Sequence, residues 1–243
     1  VFTLDTCNPI VGAEVLSFRA ERDMLAKWAA FVRACDYDIL TGYNIQNFDV
    51  PYIFDRMNKL KLGGTDALCW GRIKGAKVRM RDTTFQSSAY GKRENKEATI
   101  DGRCMFDVLP YMFRNHKLSS YSLNAVSAEF LGQQKEDVHH SIISDLQRGS
   151  AEDRRRLAVY CLKDAWLPVR LLDKLSVLIN YIEMARVTGV PVDFLITRGQ
   201  QIKVMSMLLR KARAGGLVIP TIKKGGDQEG GYEGATVIEP IKA

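Results

Sequence analysis

A short apolar run that stops at a glycine and leads into a helix constrains the fold of this chain most. The segment Tyr37–Leu40 is largely apolar and short enough for a strand, and Gly42 ends it. Pro51 follows where the first turn of a helix tolerates proline. Beyond it, apolar residues recur at helical spacing, namely Ile53, Phe54, Met57 and Leu60. The pattern predicts a strand-to-helix corner in an α/β fold, with Asp49 at that corner.

Composition limits the class of protein. The chain has 243 residues, of which 46% are hydrophobic, and this is enough for a packed core. It contains neither an apolar run of about 18 residues nor a basic-then-apolar leader, so we expect no membrane association and an intracellular site. Its five cysteines are scattered without a C-x-x-C pair. This distribution argues against a zinc site and against a disulfide framework.

Positive charge is concentrated in one part of the chain. The net charge is +7, and the stretch from Arg72 to Lys96 holds eight basic residues against two acidic ones. Two segments of alternating character, Lys77–Ser88 and Lys96–Phe106, predict a β-hairpin here, with a polar turn between them. Such a basic stripe suits a phosphodiester backbone. A solvated hairpin face explains the charge equally well.

A long helix carries a tyrosine and a carboxylate on one face. Ser150 is a suitable N-cap, and acidic residues follow it in the first turn. Tyr160 and Asp164 are four residues apart and therefore lie one turn apart on the same face. Pro168 deprives the Asp164 carbonyl of its usual helical partner, so we expect a kink there. Such pairs are also common in purely structural helices.

Several long segments resemble, in order, segments of the family B DNA polymerases. They are GYNIQNFD at 42–49, RRRLAVYCLKDA at 154–165, EMARVTGVP at 183–191 and YEGATVIEPIK at 232–242. Asn47-Phe48-Asp49 and Tyr160-x-x-x-Asp164 resemble the second and third exonuclease motifs of that family. The resemblance covers essentially the whole chain. It implies a fragment of a replicative DNA-directed DNA polymerase that includes the proofreading region.

The resemblance also implies an architecture. We expect an α/β, ribonuclease H-like 3′-to-5′ exonuclease domain at residues 1–182, with its first strands missing. Phe85–Thr99 is similar to the inserted β-hairpin that helps part primer from template in the family. Residues 183–243 are expected to form a helical connector toward a palm that is absent from the chain.

Site residues and cofactors follow from the same resemblance. The implied site holds two Mg²⁺ or Mn²⁺ ions about 4 Å apart, and such hard ions take oxygen ligands. Asp164 is expected to ligate the ion beside the attacking water, Asp49 to hold the other ion largely through water, and Tyr160 to orient the attacking water. The expected DNA contacts are Asn44, Asn47, Phe48, Arg79, Arg81, Lys92, Arg93, Tyr232 and Gly234.

The first exonuclease motif of the family, Asp-x-Glu on the first strand, has no good match in the chain. Asp227–Glu229 lies in a glycine-rich segment, and Asp36 and Asp38 belong to a turn. A metal ligand must be held rigidly, which makes both poor candidates. His139 and His140 are adjacent and so do not share a helix face. We therefore expect the 243 residues alone to lack exonuclease activity.

Partners and location are implied only for the intact protein. It is expected to bind primer-template DNA and a single-stranded 3′ end, to associate with accessory subunits and a sliding clamp, and to act in the nucleus. An iron–sulfur cluster and zinc are expected only in an absent C-terminal region. The alternative is a nuclease-dead module on the same fold that binds nucleic acid or a partner subunit. Retention of Asp49, Tyr160 and Asp164 argues against it.

Overall fold

A computed structural model describes residues 1–87, 91–133, 138 and 140–220, and leaves out the side chains of 83–87, 91–95 and 140. Within these residues six strands form, namely β1 Phe2–Leu4, β2 Leu16–Phe18, β3 Ile39–Gly42, β4 Arg79–Ser87, β5 Gly91–Thr99 and β6 Cys104–Asp107. The helices of the same part are α1 Glu21–Ala34, α2 Asp49–Lys59, α3 Val108–Asn115, α4 Leu123–Leu131, α5 His140–Arg148, α6 Ala151–Lys174, α7 Val177–Thr188, α8 Val192–Thr197 and α9 Gln200–Ala214.

The longest described helix, α6, begins where the sequence predicts. The Ser150 hydroxyl accepts the backbone N–H of Asp153 at 3.2 Å, and the Asp153 carboxylate accepts the backbone N–H of Ser150 at 2.7 Å. This reciprocal capping box satisfies two N–H groups that the first turn leaves without helical partners. The helix continues for 24 residues and passes through the buried Pro168. The prediction of a long helix carrying Tyr160 and Asp164 is confirmed.

The strands pair in three two-stranded groups among the described residues. β1 pairs with β2 in parallel, β3 pairs with β6 in parallel, and β4 pairs with β5 in antiparallel orientation. In the β3–β6 pair, Ile39 lies opposite Cys104 and Gly42 lies opposite Asp107. The Thr41 hydroxyl also donates to the Phe106 carbonyl at 2.8 Å. The two parallel strands therefore end side by side.

The prediction of one strand over Lys96–Phe106 is wrong. The chain leaves the antiparallel pair after Thr99, and a left-handed Gly102 (φ 79°) precedes the separate strand β6. β5 instead begins at Gly91, within the predicted turn, and Asp82 lies opposite Lys96 in its register. Opposite charges at facing positions stabilise the pairing of β4 with β5. The two strands are therefore paired over residues that the sequence pattern assigned to the turn.

Two hydrophobic clusters flank the β3–β6 pair. Leu40 and Met105 pack against the cluster that contains Trp70, whereas Ile39 packs against the second cluster, to which Phe106 belongs. Neighbouring residues of one strand point to opposite faces, so both faces of this parallel pair are covered. The first cluster combines α1 and α2 with residues of the segments 62–78 and 98–100, and the second is built largely from α3, α4, α6 and α7.

The last three helices present an apolar outer side. α7 packs against α8 and α9, and no residue of α9 is buried. Exposed large apolar side chains on α7 and α9 are Ile179, Ile182, Met184, Val187, Val204, Met205, Met207, Leu208 and Leu209. Among the residues that the structure describes, no helix is both long and apolar enough to cross a bilayer.

Trp70 is expected to dominate the stability of the first cluster. Its side chain is fully buried, its indole N–H donates to the Ala67 carbonyl at 2.7 Å, and its ring meets Trp28 edge-on at 5.2 Å. Trp70→Ala should lower the free energy of unfolding by about 3–5 kcal/mol. Trp166→Ala is the matched control, because that ring is 48% exposed, and should cost less than about 1 kcal/mol. Urea unfolding followed by circular dichroism measures both, and equal losses would contradict the assignment of the core.

Candidate active site

The carboxyl ends of β3 and β6 define one corner of the fold where polar side chains collect. β3 ends at Gly42 and β6 at Asp107, which are neighbours in the parallel register. The loop 43–48 leads from β3 into α2, and α3 begins directly after Asp107. Ligand sites of α/β proteins commonly lie beyond the carboxyl ends of parallel strands. The strand-to-helix corner predicted around Asp49 is confirmed and lies here.

Asp49 is the first residue of α2 and is accessible to solvent. Neighbouring protein atoms nevertheless remove part of its hydration, and this desolvation is the main cause that raises the pKa of its carboxyl group. Its own backbone N–H opposes the shift, whereas the charges of Asp107 and Asp164 add to it. Carboxylates on two other elements, β6 and α6, therefore lie close enough to act on the charge of Asp49.

Asp164 reaches the corner from α6, and Tyr160 lies one turn earlier on the same helix. Both residues are half-buried, and α6 packs beside β3. Asp164 is more than a hundred residues from Asp49 in sequence, yet its charge contributes to raising the pKa of Asp49. The structure thus brings together the two carboxylates that the sequence predicts as metal ligands. Their roles, and that of Tyr160, stay predictions.

Asp107 is a residue of this corner that the sequence reasoning missed. One of its carboxylate oxygens accepts the backbone N–H groups of Asn44 at 2.8 Å and Leu109 at 3.0 Å, and the other accepts that of Gln46 at 3.0 Å. Burial raises the pKa of Asp107, and these three hydrogen bonds oppose the shift. A carboxylate directly between an apolar strand and a helix start is the sequence signal that could have found it.

The three loop residues predicted to contact DNA have different surroundings. Asn44 adopts a left-handed conformation, with φ 62°, and donates its backbone N–H to Asp107. The Asn47 side-chain carbonyl accepts the backbone N–H of Lys96 in β5 at 3.1 Å. Phe48 exposes 67% of its surface. Asn44 and Asn47 therefore have structural contacts within the protein, and all three DNA contacts stay predictions.

Of the predicted basic contacts, only two have described side chains. Arg79 pairs with Asp101 at 2.8 Å while remaining largely exposed, and Arg81 is exposed. An ion pair at the surface of a protein contributes little to stability, so it leaves the Arg79 guanidinium available to a phosphate. The side chains of Lys92 and Arg93, and all of Tyr232 and Gly234, lie outside the described residues.

Asp36 and Asp38, considered as substitute metal ligands, are engaged by arginines. Arg72 bonds Asp36 at 2.9 Å and Asp38 at 2.8 Å, and Arg103 also approaches Asp36 at 3.1 Å. The hydrogen bond from Arg72 is the main cause that lowers the pKa of Asp36. These contacts occupy the two carboxylates within the turn. Asp227–Glu229, His139 and the His140 side chain fall outside the described residues.

The carboxylates at the corner suit a hard dication only in part. Across the described ranges, no group of three or more His, Cys, Asp and Glu side chains is arranged to hold a metal ion. Asp49 and Asp164 offer oxygen ligands of the kind that Mg²⁺ and Mn²⁺ prefer. Two such ions need more anionic ligands than this pair supplies.

Comparison with known protein families agrees with this arrangement. Residues 1–126 match the model of the DNA polymerase family B exonuclease domain, and residues 190–243 match the model of DNA polymerase family B. The chain therefore belongs to DNA polymerase family B. The family resemblance read from the motifs is confirmed.

Individual relatives share one description. The chain is 59% identical over 239 residues to the DNA polymerase delta catalytic subunit of Glycine max, covering 98% of the chain and 22% of that protein. It is 57% identical over 242 residues to the subunit of that name from Schizosaccharomyces pombe, covering 100% of the chain and 22% of that protein. It is 54% identical over 240 residues to that of Bos taurus, covering 99% of the chain and 21% of that protein. The chain spans about a fifth of the length of these relatives. These matches do not favour the nuclease-dead alternative.

Gly42 is expected to be essential to the shape of this corner. A Cβ atom added to Gly42 would lie 2.4 Å from Cγ2 of the buried Ile45, so the loop would have to move. Gly42→Ala should lower the free energy of unfolding by about 1–3 kcal/mol through overpacking. Gly64→Ala is the control, since nothing lies within 4 Å of its added Cβ. Denaturant unfolding of both variants tests this, and an unchanged midpoint for Gly42→Ala would contradict it.

Proposed function

We propose that the chain is the 3′-to-5′ proofreading region of a replicative family B DNA polymerase. The observation that carries the proposal is that α6, which bears Asp164, packs beside β3, whose carboxyl end leads into Asp49, so that the charge of Asp164 acts on Asp49. These two carboxylates belong to motifs that resemble the exonuclease motifs of the family. The intact protein is proposed to add deoxynucleotides and to excise mismatched primer ends.

Each site residue is proposed to act through its own chemistry. Asp164 and Asp49 would supply part of the ligand set of two Mg²⁺ or Mn²⁺ ions, which when bound stabilise the attacking and leaving oxygens of a phosphodiester. Tyr160, one turn before Asp164 on α6, would orient the attacking water with its hydroxyl. Asn44, Asn47 and the exposed Phe48 ring would contact the single-stranded 3′ end, Phe48 by stacking on a base.

The wider organisation is also part of the proposal. Residues 1–182 would form the exonuclease domain with a ribonuclease H-like fold, and 183–243 the connector toward the palm. The β4–β5 hairpin would help part primer from template, and Tyr232 and Gly234 would contact the template strand. The intact protein would associate with accessory subunits and a sliding clamp and act in the nucleus. Any iron–sulfur cluster or zinc would belong to regions beyond this chain.

Excision should depend on both aspartates. In the full-length protein, Asp49→Ala or Asp164→Ala should reduce excision of a mismatched primer end by about three orders of magnitude. The reason is that the loss of one residue from a group that acts as a unit can cost about as much activity as the loss of the whole group. Nucleotide addition should stay nearly unchanged. Tyr160→Phe should reduce excision less, by about 10-fold, as expected of a residue that orients the attacking water rather than ligating a metal ion. Single-turnover excision and primer extension are measured separately on each variant.

Two exposed aspartates on the same helices provide matched controls. Asp55→Ala on α2 and Asp173→Ala on α6 remove the same charge from the same elements, and both should excise at the wild-type rate. If Asp49→Ala or Asp164→Ala also excises at the wild-type rate, the metal assignment is wrong.

The basic hairpin should contribute to DNA affinity by neutralising phosphates. Replacing Arg79, Arg81, Lys92 and Arg93 by Gln should flatten the slope of log affinity against log salt concentration by about 0.7–0.9 for each phosphate that is no longer neutralised. Fluorescence anisotropy with labelled DNA at several salt concentrations measures the slope.

A control variant with the same net charge isolates the hairpin. It carries glutamines at four exposed basic positions elsewhere, which are Arg22, Lys27, Lys59 and Lys174. That variant should keep a slope close to wild type. Equal slopes for the two variants would show that the hairpin charges act only through net charge, and the hairpin would then be an ordinary solvated face.

A further inference from the structure

Asp107 is the one buried carboxylate among the described side chains, with 6% of its surface exposed. Its environment explains how the charge is accommodated. Three backbone N–H groups donate to it, and no described Lys or Arg forms an ion pair with it. Burying a charge is costly unless hydrogen bonds compensate for it, so a carboxylate at this position requires a reason.

Capping α3 does not by itself explain why a carboxylate is buried at position 107. As the N-cap of α3, Asp107 accepts the N–H of Leu109, and a neutral Ser or Asn would serve equally well there. The feature that distinguishes a carboxylate is a second acceptor oxygen with no N–H group of its own. In this structure that second oxygen faces the N–H of Gln46, while the first also accepts the N–H of Asn44. Two of the three bonds thus hold the loop after β3 rather than α3.

The bonded loop leads directly to Asp49. Asn44 is left-handed, a conformation that costs a non-glycine residue energy and that the bond to Asp107 helps to fix. The Asn44 carbonyl in turn accepts the N–H of Phe48 at 3.1 Å, and the Ile45 carbonyl accepts that of Val50 at 2.9 Å. Asp49 lies between these two anchored residues, so its backbone position depends on the loop conformation that Asp107 holds.

We infer that Asp107 is a positioning residue of the editing site, which sets the place of Asp49 by holding the loop 43–48 through the backbone N–H groups of Asn44 and Gln46. This inference rests on the proposed exonuclease function. Asp107 acts through Asp49 rather than on the substrate, because both of its oxygens are already engaged by backbone donors. Groups that orient metal ligands in this indirect way typically change metal affinity or activity 10–100-fold when they are lost.

Two substitutions separate the loop bonds from the helix cap. Asp107→Ser keeps a hydroxyl that caps α3 but has one shorter acceptor that cannot serve Asn44 and Gln46 together. Asp107→Asn keeps the oxygen used by Asn44 and Leu109 and places an NH₂ group opposite the N–H of Gln46. Thr65→Ala is a control for the loss of a cap elsewhere, because Thr65 accepts the N–H of Ala67 at the short 3₁₀ turn Asp66–Leu68.

The experiment titrates Mg²⁺ in excision assays of the full-length protein and records primer extension and thermal unfolding for every variant. Asp107→Ser should raise the Mg²⁺ concentration for half-maximal excision by about 10–100-fold. Asp107→Asn should show a smaller shift of the same kind. Extension should be unchanged, and the loss of thermal stability should resemble that of Thr65→Ala, which keeps its Mg²⁺ dependence. A purely structural role would lower excision without moving the Mg²⁺ dependence.

Three outcomes separate the inference from the function on which it rests. If both Asp107 variants excise like wild type while Asp49→Ala does not excise, the positioning role is wrong and the exonuclease assignment stands. If the Asp107 variants lose excision and extension equally at unchanged Mg²⁺ dependence, Asp107 is only structural, and the inference is again wrong. If Asp49→Ala and Asp164→Ala excise like wild type, the proposed function itself fails. Should Asp107→Ser not fold, the Asp107→Asn titration decides between these outcomes.

Discussion

The parallel pairing of β3 with β6 is the constraint on which the rest of the structure depends. It joins segments about 65 residues apart and brings Gly42 beside Asp107, so that two strand ends and two helix starts meet at one corner. Because the two strands are covered on both faces, a slip of one residue would turn Phe106 away from its cluster and Met105 into it. The hydrophobic clusters therefore fix the register, and the register fixes which carboxylates meet.

Features that depend on neighbouring residues were predictable from the sequence. The start of α6 follows from Ser150 and its acidic first turn, and the common face of Tyr160 and Asp164 follows from helical spacing. The corner at Asp49 follows from Gly42 and Pro51 for the same reason. In each case the signal lies within a few residues of the feature that it predicts. The family motifs added the pairing of Asp49 with Asp164, which local patterns do not contain.

Features that depend on distant pairing were not predictable in this way. The alternating character of Lys96–Phe106 suits one strand, yet its two ends pair with different partners in different orientations. Which partner a strand takes is decided by burial and by cross-strand contacts rather than by its own alternation. Asp107 was missed for the same reason. Its function as a cap is visible in the sequence, whereas its two bonds to the loop exist only once β6 lies beside β3.

The loop 43–48 is held from three sides, and this explains why so many polar and aromatic residues occur in one short segment. Asp107 holds its backbone, the Tyr43 hydroxyl donates to the Tyr121 carbonyl at 2.5 Å, and Asn47 accepts the N–H of Lys96. The last contact links the loop to β5, so a displacement of the hairpin is transmitted to the residue two positions before Asp49. A carboxylate at the start of a short helix has little rigidity of its own, because helix ends fray. Three anchors on β6, β5 and the segment before α4 supply the rigidity that the proposed role of Asp49 as a metal ligand requires. The amide of Asn47 is then part of the support of the site, whether or not it also contacts DNA.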